Sequence, residues 1–192
     1  MKDTINFKEY FKNFFLLVKK GEVEIYNEFS LQHELGVYLR PEIPDLKVQF
    51  ERPVSFFGLN KEDLEKKETD ISVYSEDHST KYVIELKYPR NGQHPEQMFS
   101  VCKDICFCEQ LHQKGFVNCF SIIVVDDPLF YEGEKKTGIY QHFRSDVPVH
   151  GEIRKPTGKK DCSFKIKGSY PVIWESLKNN IKYAVVEIAN KK

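Results

Sequence analysis

Long apolar runs, net charge and pairable cysteines are all scarce in this sequence. No stretch reaches the ~20 apolar residues that a membrane-spanning helix needs. Phe14-Phe15-Leu16-Leu17-Val18 is too short for the apolar core of a signal peptide. No membrane partner is therefore expected. Lys plus Arg total 29, as do Asp plus Glu, so the net charge is zero. That excludes a bulk polycation binding nucleic acid by charge alone, and leaves room for a local patch. Five cysteines, an odd number without framework spacing, point to reduced thiols and a cytoplasmic location. Glycine-rich phosphate loops, an H-E-x-x-H zinc motif and a G-x-S-x-G nucleophile elbow are all missing.

What is present suits one domain over 1–192, with 40% hydrophobic and 14% aromatic residues to build a core. Phe7, Phe11, Phe14 and Val18 recur at helical spacing, predicting a helix over 4–19 that Gly21 ends. Leu31, Leu35 and Leu39 predict a second helix over 27–40, stopped by Pro41 and Pro44. Strands are expected at 47–54, 70–74 and 82–86, the last two joined by the polar turn Ser75–Thr80. A helix over 95–113 and a buried strand at 121–125 follow, the pattern of a parallel crossover. After about residue 130, strands are expected at 138–144, 163–167, 171–174 and 182–188. The fold class is thus α/β, a central mixed β-sheet flanked by helices, with an additional β-rich C-terminal extension at about 130–192.

The residues that point to chemistry sit on two adjacent strands. Ile71 and Val73, then Ile84 and Leu86, form an apolar face. Alternation puts Asp70 and Ser72, then Glu85 and Lys87, on the opposite one. A hairpin centred between Asp77 and His78 sets Asp70 opposite Glu85. Two facing carboxylates repel unless a cation lies between them. Mg²⁺ takes oxygen ligands and keeps several waters, so two carboxylates are a typical protein share. Lys87 projects from the same face, where its ammonium can orient or help deprotonate a bound water or stabilise charge on a phosphate. The bland alternative is an exposed sheet face of mixed charge.

Asp70, fourteen intervening residues, then Glu85-Leu86-Lys87 resembles the signature of the PD-(D/E)XK phosphodiesterase superfamily, which includes restriction endonucleases and junction resolvases. Thr69 stands where the superfamily name has proline. The resemblance covers about 25–127 and not the tail; it implies a restriction-endonuclease-like core there and a divalent-metal-dependent nuclease, with DNA as the expected nucleic-acid partner and Mg²⁺ or Mn²⁺ as cofactor. It implies metal ligation by Asp70, Glu85 and the backbone carbonyl of Leu86, and a catalytic role for Lys87. Many members add a glutamate from the first core helix. Glu28, inside the stripe of Leu31, Leu35 and Leu39, is the first candidate for metal ligation and catalysis, and Glu34 the reserve. An N-terminal acid favoured by the helix dipole is the plain alternative for Glu28.

Arg90 and Gln97 are weak candidates for substrate contact, against ordinary roles at a helix start. Cys102, Cys106 and Cys108 fall on one apolar helical arc and are expected to pack as small hydrophobes. The basic run Arg154–Lys167 is either a phosphate-tracking patch or a lysine-protected strand edge, and Tyr140, Phe143 and Arg144 either a stacking surface or core. A homodimer is expected if both strands of a duplex are cut. The competing class is a non-catalytic nucleic-acid-binding or protein-interaction module that retains the fold.

Overall fold

The computed structural model describes residues 5–90, 92–158 and 162–190. It opens with α1 (Phe7–Lys20), whose Phe7, Phe11, Phe14, Phe15 and Val18 are buried. Gly21 ends the helix at φ 79°, a left-handed position where a side chain would be strained. In α2 (Glu28–Glu42) a reciprocal cap fixes the start: the Ser30 N–H donates to Asn27 Oδ1 at 2.7 Å, and the Asn27 N–H donates to Ser30 Oγ at 3.0 Å. That cap makes Glu28 the first helical residue. The helix expected to end at residue 40 runs two positions further, through Pro41 to Glu42. Lying in the last turn, the proline costs only a terminal hydrogen bond.

Three strands follow: β1 (Lys47–Pro53), β2 (Glu68–Tyr74) and β3 (Lys81–Lys87), paired antiparallel in sequence order. The observed pairs Ile71–Ile84, Ser72–Val83, Val73–Tyr82 and Tyr74–Lys81 are the register expected from a turn centred on Asp77 and His78. The next helix, α3 (His94–Gln113), crosses to β4 (Asn118–Val125), which pairs parallel with β3. Cys102, Cys106 and Cys108 are buried free thiols on α3, as packing requires.

The tail departs most from expectation. Residues 138–144 form a 3₁₀ turn and a short helix, α4 (Gln141–Arg144), not a strand. Ile139 and Phe143, four apart and both buried, carry the helical spacing that decides it. Residues 171–174 join no ladder. There the Trp174 indole N–H donates to the Phe143 carbonyl at 2.9 Å. The tail supplies β5 (Val149–Arg154), β6 (Ser163–Tyr170), β7 (Glu175–Lys178) and β8 (Ile181–Ile188). β5 and β6 form a separate ribbon, whereas β8 pairs with β4 and β7 with β8, so the central sheet runs β1-β2-β3-β4-β8-β7. The second half of the chain therefore completes the sheet rather than only extending it.

Each face of this mixed α/β sheet has its own core. On one side α1 and α2 pack against Ile71, Val73, Ile84, Leu86, Phe120 and Ile122. On the other, α3 and the ribbon cover Val83, Cys119, Ile123, Ala184 and Val186. Gly36 of α2 lies against Phe50 of β1, where an added Cβ would fall 2.2 Å from the ring. No helix among the described residues is long and apolar enough to cross a membrane.

Candidate metal centre

The charged face of the β2–β3 hairpin lies on the α3 side of the sheet. The Asp70 N–H donates to Glu85 Oε1 at 3.3 Å, and the Leu86 N–H donates to Asp70 Oδ2 at 2.7 Å. The Asp70 carboxylate thus closes the ladder where the strands part. Glu85 is fully buried, and its other oxygen is paired with the Lys66 ammonium. Lys66 also meets Asp70 Oδ1 at 3.4 Å and Asp104 Oδ1 at 3.2 Å. Asp104 projects from α3 and is 2% exposed; its second oxygen is 3.7 Å from Lys87 Nζ. Lys87 in turn reaches Glu28 Oε1 at 3.3 Å, while Glu28 Oε2 accepts from the Tyr88 N–H at 3.0 Å. A chain of alternating charge therefore runs from Glu28 through Lys87, Asp104 and Lys66 to Glu85 and Asp70.

Beside Asp70 opens a groove of about 230 Å³, lined by Glu28, Phe29, Gln32, Glu51, Asp70 and Leu86. The Gln32 amide donates to Glu51 Oε1 at 2.5 Å and to the Asp70 carbonyl at 2.8 Å, drawing β1 and β2 together at the groove floor. Glu51 has φ 51°, unusual for a non-glycine residue within a strand and a conformation that costs energy to hold.

Burial would lower the Lys66 pKa, but Glu85, Asp104 and Asp70 outweigh it and hold the ammonium above its ordinary range. Burial and then Asp70 push Glu85 well above the usual carboxylate range, with Lys66 opposing. Burial likewise raises Asp104 against Lys66 and Lys87. Both members of the Lys66–Glu85 pair thus hold their protons more tightly. For Glu85 the first cause is burial and the second the neighbouring acid Asp70; for Lys66 it is the three acids around it. For Lys87, burial lowers the pKa while Asp104 and Glu28 raise it further, so it stays an ammonium.

Asp70, Glu85, Lys87, Leu86 and Glu28 are therefore brought together, but of these only Asp70, Leu86 and Glu28 line the groove; Glu85, expected as a metal ligand, is fully buried with one oxygen on Lys66. Glu34 is not: it faces its neighbour His33 at 3.2 Å on the far side of α2. The Arg90 guanidinium donates to the Tyr26 carbonyl at 2.8 Å and pairs with Asp126 at 3.1 Å, lining a different depression with His94 and Asp127. Gln97, half-buried on α3, does not line the groove. In the basic run, Arg154 pairs with Glu152 at 2.9 Å and Lys155 with Glu96 at 3.6 Å, while Lys159 and Lys160 lie outside the described residues. Phe143 is core, with Arg144 stacked 4.2 Å from the Tyr140 ring.

Sequence reasoning missed Lys66, Asp104, Glu51 and Gln32. Asp104 carried a signal: it lies three residues after Val101 and one before Ile105, within a buried stripe, where an acid needs a partner. Among the described residues no three His, Cys, Asp or Glu side chains stand grouped around a point for a metal; three of the acids converge on Lys66 instead. Three carboxylates, those of Glu28, Glu51 and Asp70, line the groove beside Gln32 and Phe29, and carboxylate oxygen is the donor type a hard cation takes. Comparison of the chain with protein-family models, with curated proteins and with solved structures finds no match.

Proposed function

We propose that the protein is a divalent-metal-dependent nuclease that hydrolyses phosphodiester bonds in DNA, built on a restriction-endonuclease-like core. The observation that carries this reading is the meeting of Asp70 and Glu85 across the β2–β3 hairpin, with Lys87 held to Glu28, where Asp70 and Glu28 line a groove that a third acid, Glu51, also lines. The order α2-β1-β2-β3-α3-β4, with three antiparallel strands and a parallel fourth, supports the same fold reading.

Mg²⁺ or Mn²⁺ would be held by Asp70 and the Leu86 carbonyl, with Glu28 and Glu51 in the same lining. When bound, such an ion lowers the pKa of water and neutralises charge on the scissile phosphate. Glu85 supports Asp70 from behind, through the Asp70 N–H. Lys87 is an ammonium held between Glu28 and Asp104. It donates hydrogen bonds to a phosphate oxygen or to the attacking water and stabilises the charge that develops. A base role for Lys87 would require it to lose the proton that both carboxylates favour.

The test is cleavage of linear, circular and single-stranded DNA with Mg²⁺ or Mn²⁺, comparing wild type with Asp70→Ala and Lys87→Ala. Metal-dependent cutting lost in both variants is expected. Folded wild type that cuts none of these substrates would reject catalysis and favour a binding module. That second reading has one observation in its favour: Lys66 pairs with both Asp70 and Glu85, so the chain supplies a cation to these acids itself. Cutting both strands of a duplex would call for a symmetric pair of copies.

A further inference from the structure

Of the fifteen phenylalanines, Phe29 alone is exposed. At 74% it is the most exposed large apolar side chain among the described residues, and it belongs to neither core. Its place is not arbitrary: it lines the groove that Glu28, Gln32, Glu51, Asp70 and Leu86 complete. Its neighbour Glu28 contacts Lys87 at 3.3 Å, so Phe29 follows directly on the residue that holds the ammonium assigned to the phosphate. Three residues earlier, Tyr26 is 60% exposed.

Both rings are carried on a fixed backbone. The Tyr26 N–H donates to Ser30 Oγ at 2.8 Å, and the Tyr26 carbonyl accepts from Arg90 at 2.8 Å. Arg90 is anchored in turn to Asp126 at 3.1 Å, which ties the segment after β3 to the start of α2. The Asn27–Ser30 cap holds the turn that carries Phe29. Rings held this way lose little further freedom when a ligand arrives. Single exposed apolar residues are ordinary at a surface. Two aromatics on one rigid turn, one of them lining a groove, are a different case.

The lining narrows what such a ring would hold. An apolar anchor from a protein partner needs apolar walls, and around Phe29 the groove offers Leu86 against three carboxylates and an amide. A flat heteroaromatic ring suits it better, with its face on Phe29 and its edge amino groups donating to carboxylate oxygen. A nucleobase has both properties. Inside a duplex the neighbouring bases cover both faces of each base, so an unpaired base is the one that can present a face.

We propose that Phe29 and Tyr26 form a stacking platform for an unpaired base next to the phosphate in the groove, and that the substrate class of this site is single-stranded DNA. The place of the phosphate rests on the nuclease reading; the platform rests on the exposure and position of the two rings.

The experiment measures affinity by fluorescence anisotropy for a mixed-sequence single-stranded oligonucleotide and for a blunt hairpin duplex, with Ca²⁺ replacing Mg²⁺ so that strands stay whole. Wild type should prefer the single strand. Phe29→Ala should weaken single-strand binding about tenfold, the loss of one base–aromatic stack, and leave duplex binding and Tm unchanged. Phe29→Trp should restore the affinity, and Phe29→Leu, apolar but not planar, should not. Ultraviolet light should crosslink a strand carrying 5-iodouracil to Phe29 or Tyr26. Binding of neither DNA, a duplex bound as tightly as the single strand, an affinity unmoved by Phe29→Ala, equal rescue by Leu and Trp, or crosslinks only elsewhere would each overturn the proposal. Failure of the nuclease reading looks different. Phe29-dependent single-strand binding with no cutting in Mg²⁺ or Mn²⁺ would uphold the platform and remove catalysis. Duplex cutting that Phe29→Ala leaves unchanged, with no preference for single strands, would keep catalysis and overturn the platform.

Discussion

Two buried acids on α3, five positions apart, are handled in opposite ways. Glu109 is 5% exposed and accepts from the Lys167 N–H at 2.9 Å, the Gly168 N–H at 2.5 Å and the Tyr170 hydroxyl at 2.9 Å. All three donors are neutral and come from β6, so the carboxylate stitches the ribbon to the helix. Burial and the Glu109 hydrogen bond push the Tyr170 hydroxyl up, keeping it a donor. Asp104 is 2% exposed, yet its nearest partners are two ammonium groups, and one of its oxygens lacks a hydrogen bond. Neutral donors in full supply suit an acid that only holds the fold. Charged partners and an unfilled acceptor suit one whose surroundings change when a ligand arrives.

Four variants would break or sharpen this contrast. Glu109→Ala strands two backbone N–H groups and a hydroxyl, and should cost about 3–5 kcal/mol in urea unfolding while leaving Mn²⁺ affinity unchanged. A large loss of metal affinity would show that Glu109 also serves the site. Asp104→Asn keeps the shape and relieves repulsion with Glu85, so stability should change by no more than about 1 kcal/mol while DNA cleavage falls about a hundredfold. Full cleavage together with a collapsed Tm would make Asp104 a second Glu109. Glu28→Gln frees one side of a Lys87 that Asp104 still holds, so cleavage should drop about tenfold with Tm nearly unchanged. An unchanged kcat would reduce Glu28 to a helix-terminus acid. Arg90→Ala removes half-exposed contacts to Tyr26 and Asp126, and should change stability by less than about 1 kcal/mol. A rise in KM for DNA in this variant would restore a substrate contact there.

The hairpin was legible because a strand has only two faces. Once the turn is centred on Asp77 and His78, alternation alone sets Asp70 against Glu85 and turns Ile71 and Ile84 to the core. Glu28 was picked out as an acid in line with a leucine stripe, but in the first turn of α2 its side chain stays 43% exposed, so its contact with Lys87 and not burial gives it a partner. Lys66 was not, because it sits outside regular structure, where no period says which way a side chain points. Gln32 and Glu51 become meaningful only when α2 lies across β1, a relation between elements that neither segment carries alone. In the tail, prolines and short runs concealed how β8 pairs with β4, a contact that spans more than sixty positions at its Cys119–Ile188 end. The helix at 141–144 was mistaken for a strand because Tyr140, Phe143 and Arg144 also suit one by composition.

The contact between Gly36 and Phe50 has a consequence for the site two turns away. Glu28, Gln32 and Gly36 lie four residues apart along one helix, so they share a face and move as one rod. The missing methyl at Gly36 sets how far that rod stands off the sheet, and with it the reach of Glu28 to Lys87 and of Gln32 to Asp70. An uncharged gap filled by a benzene ring thus works as the spacer for a charged centre it never touches. Tuning that centre from a distance would begin with one carbon atom at position 36.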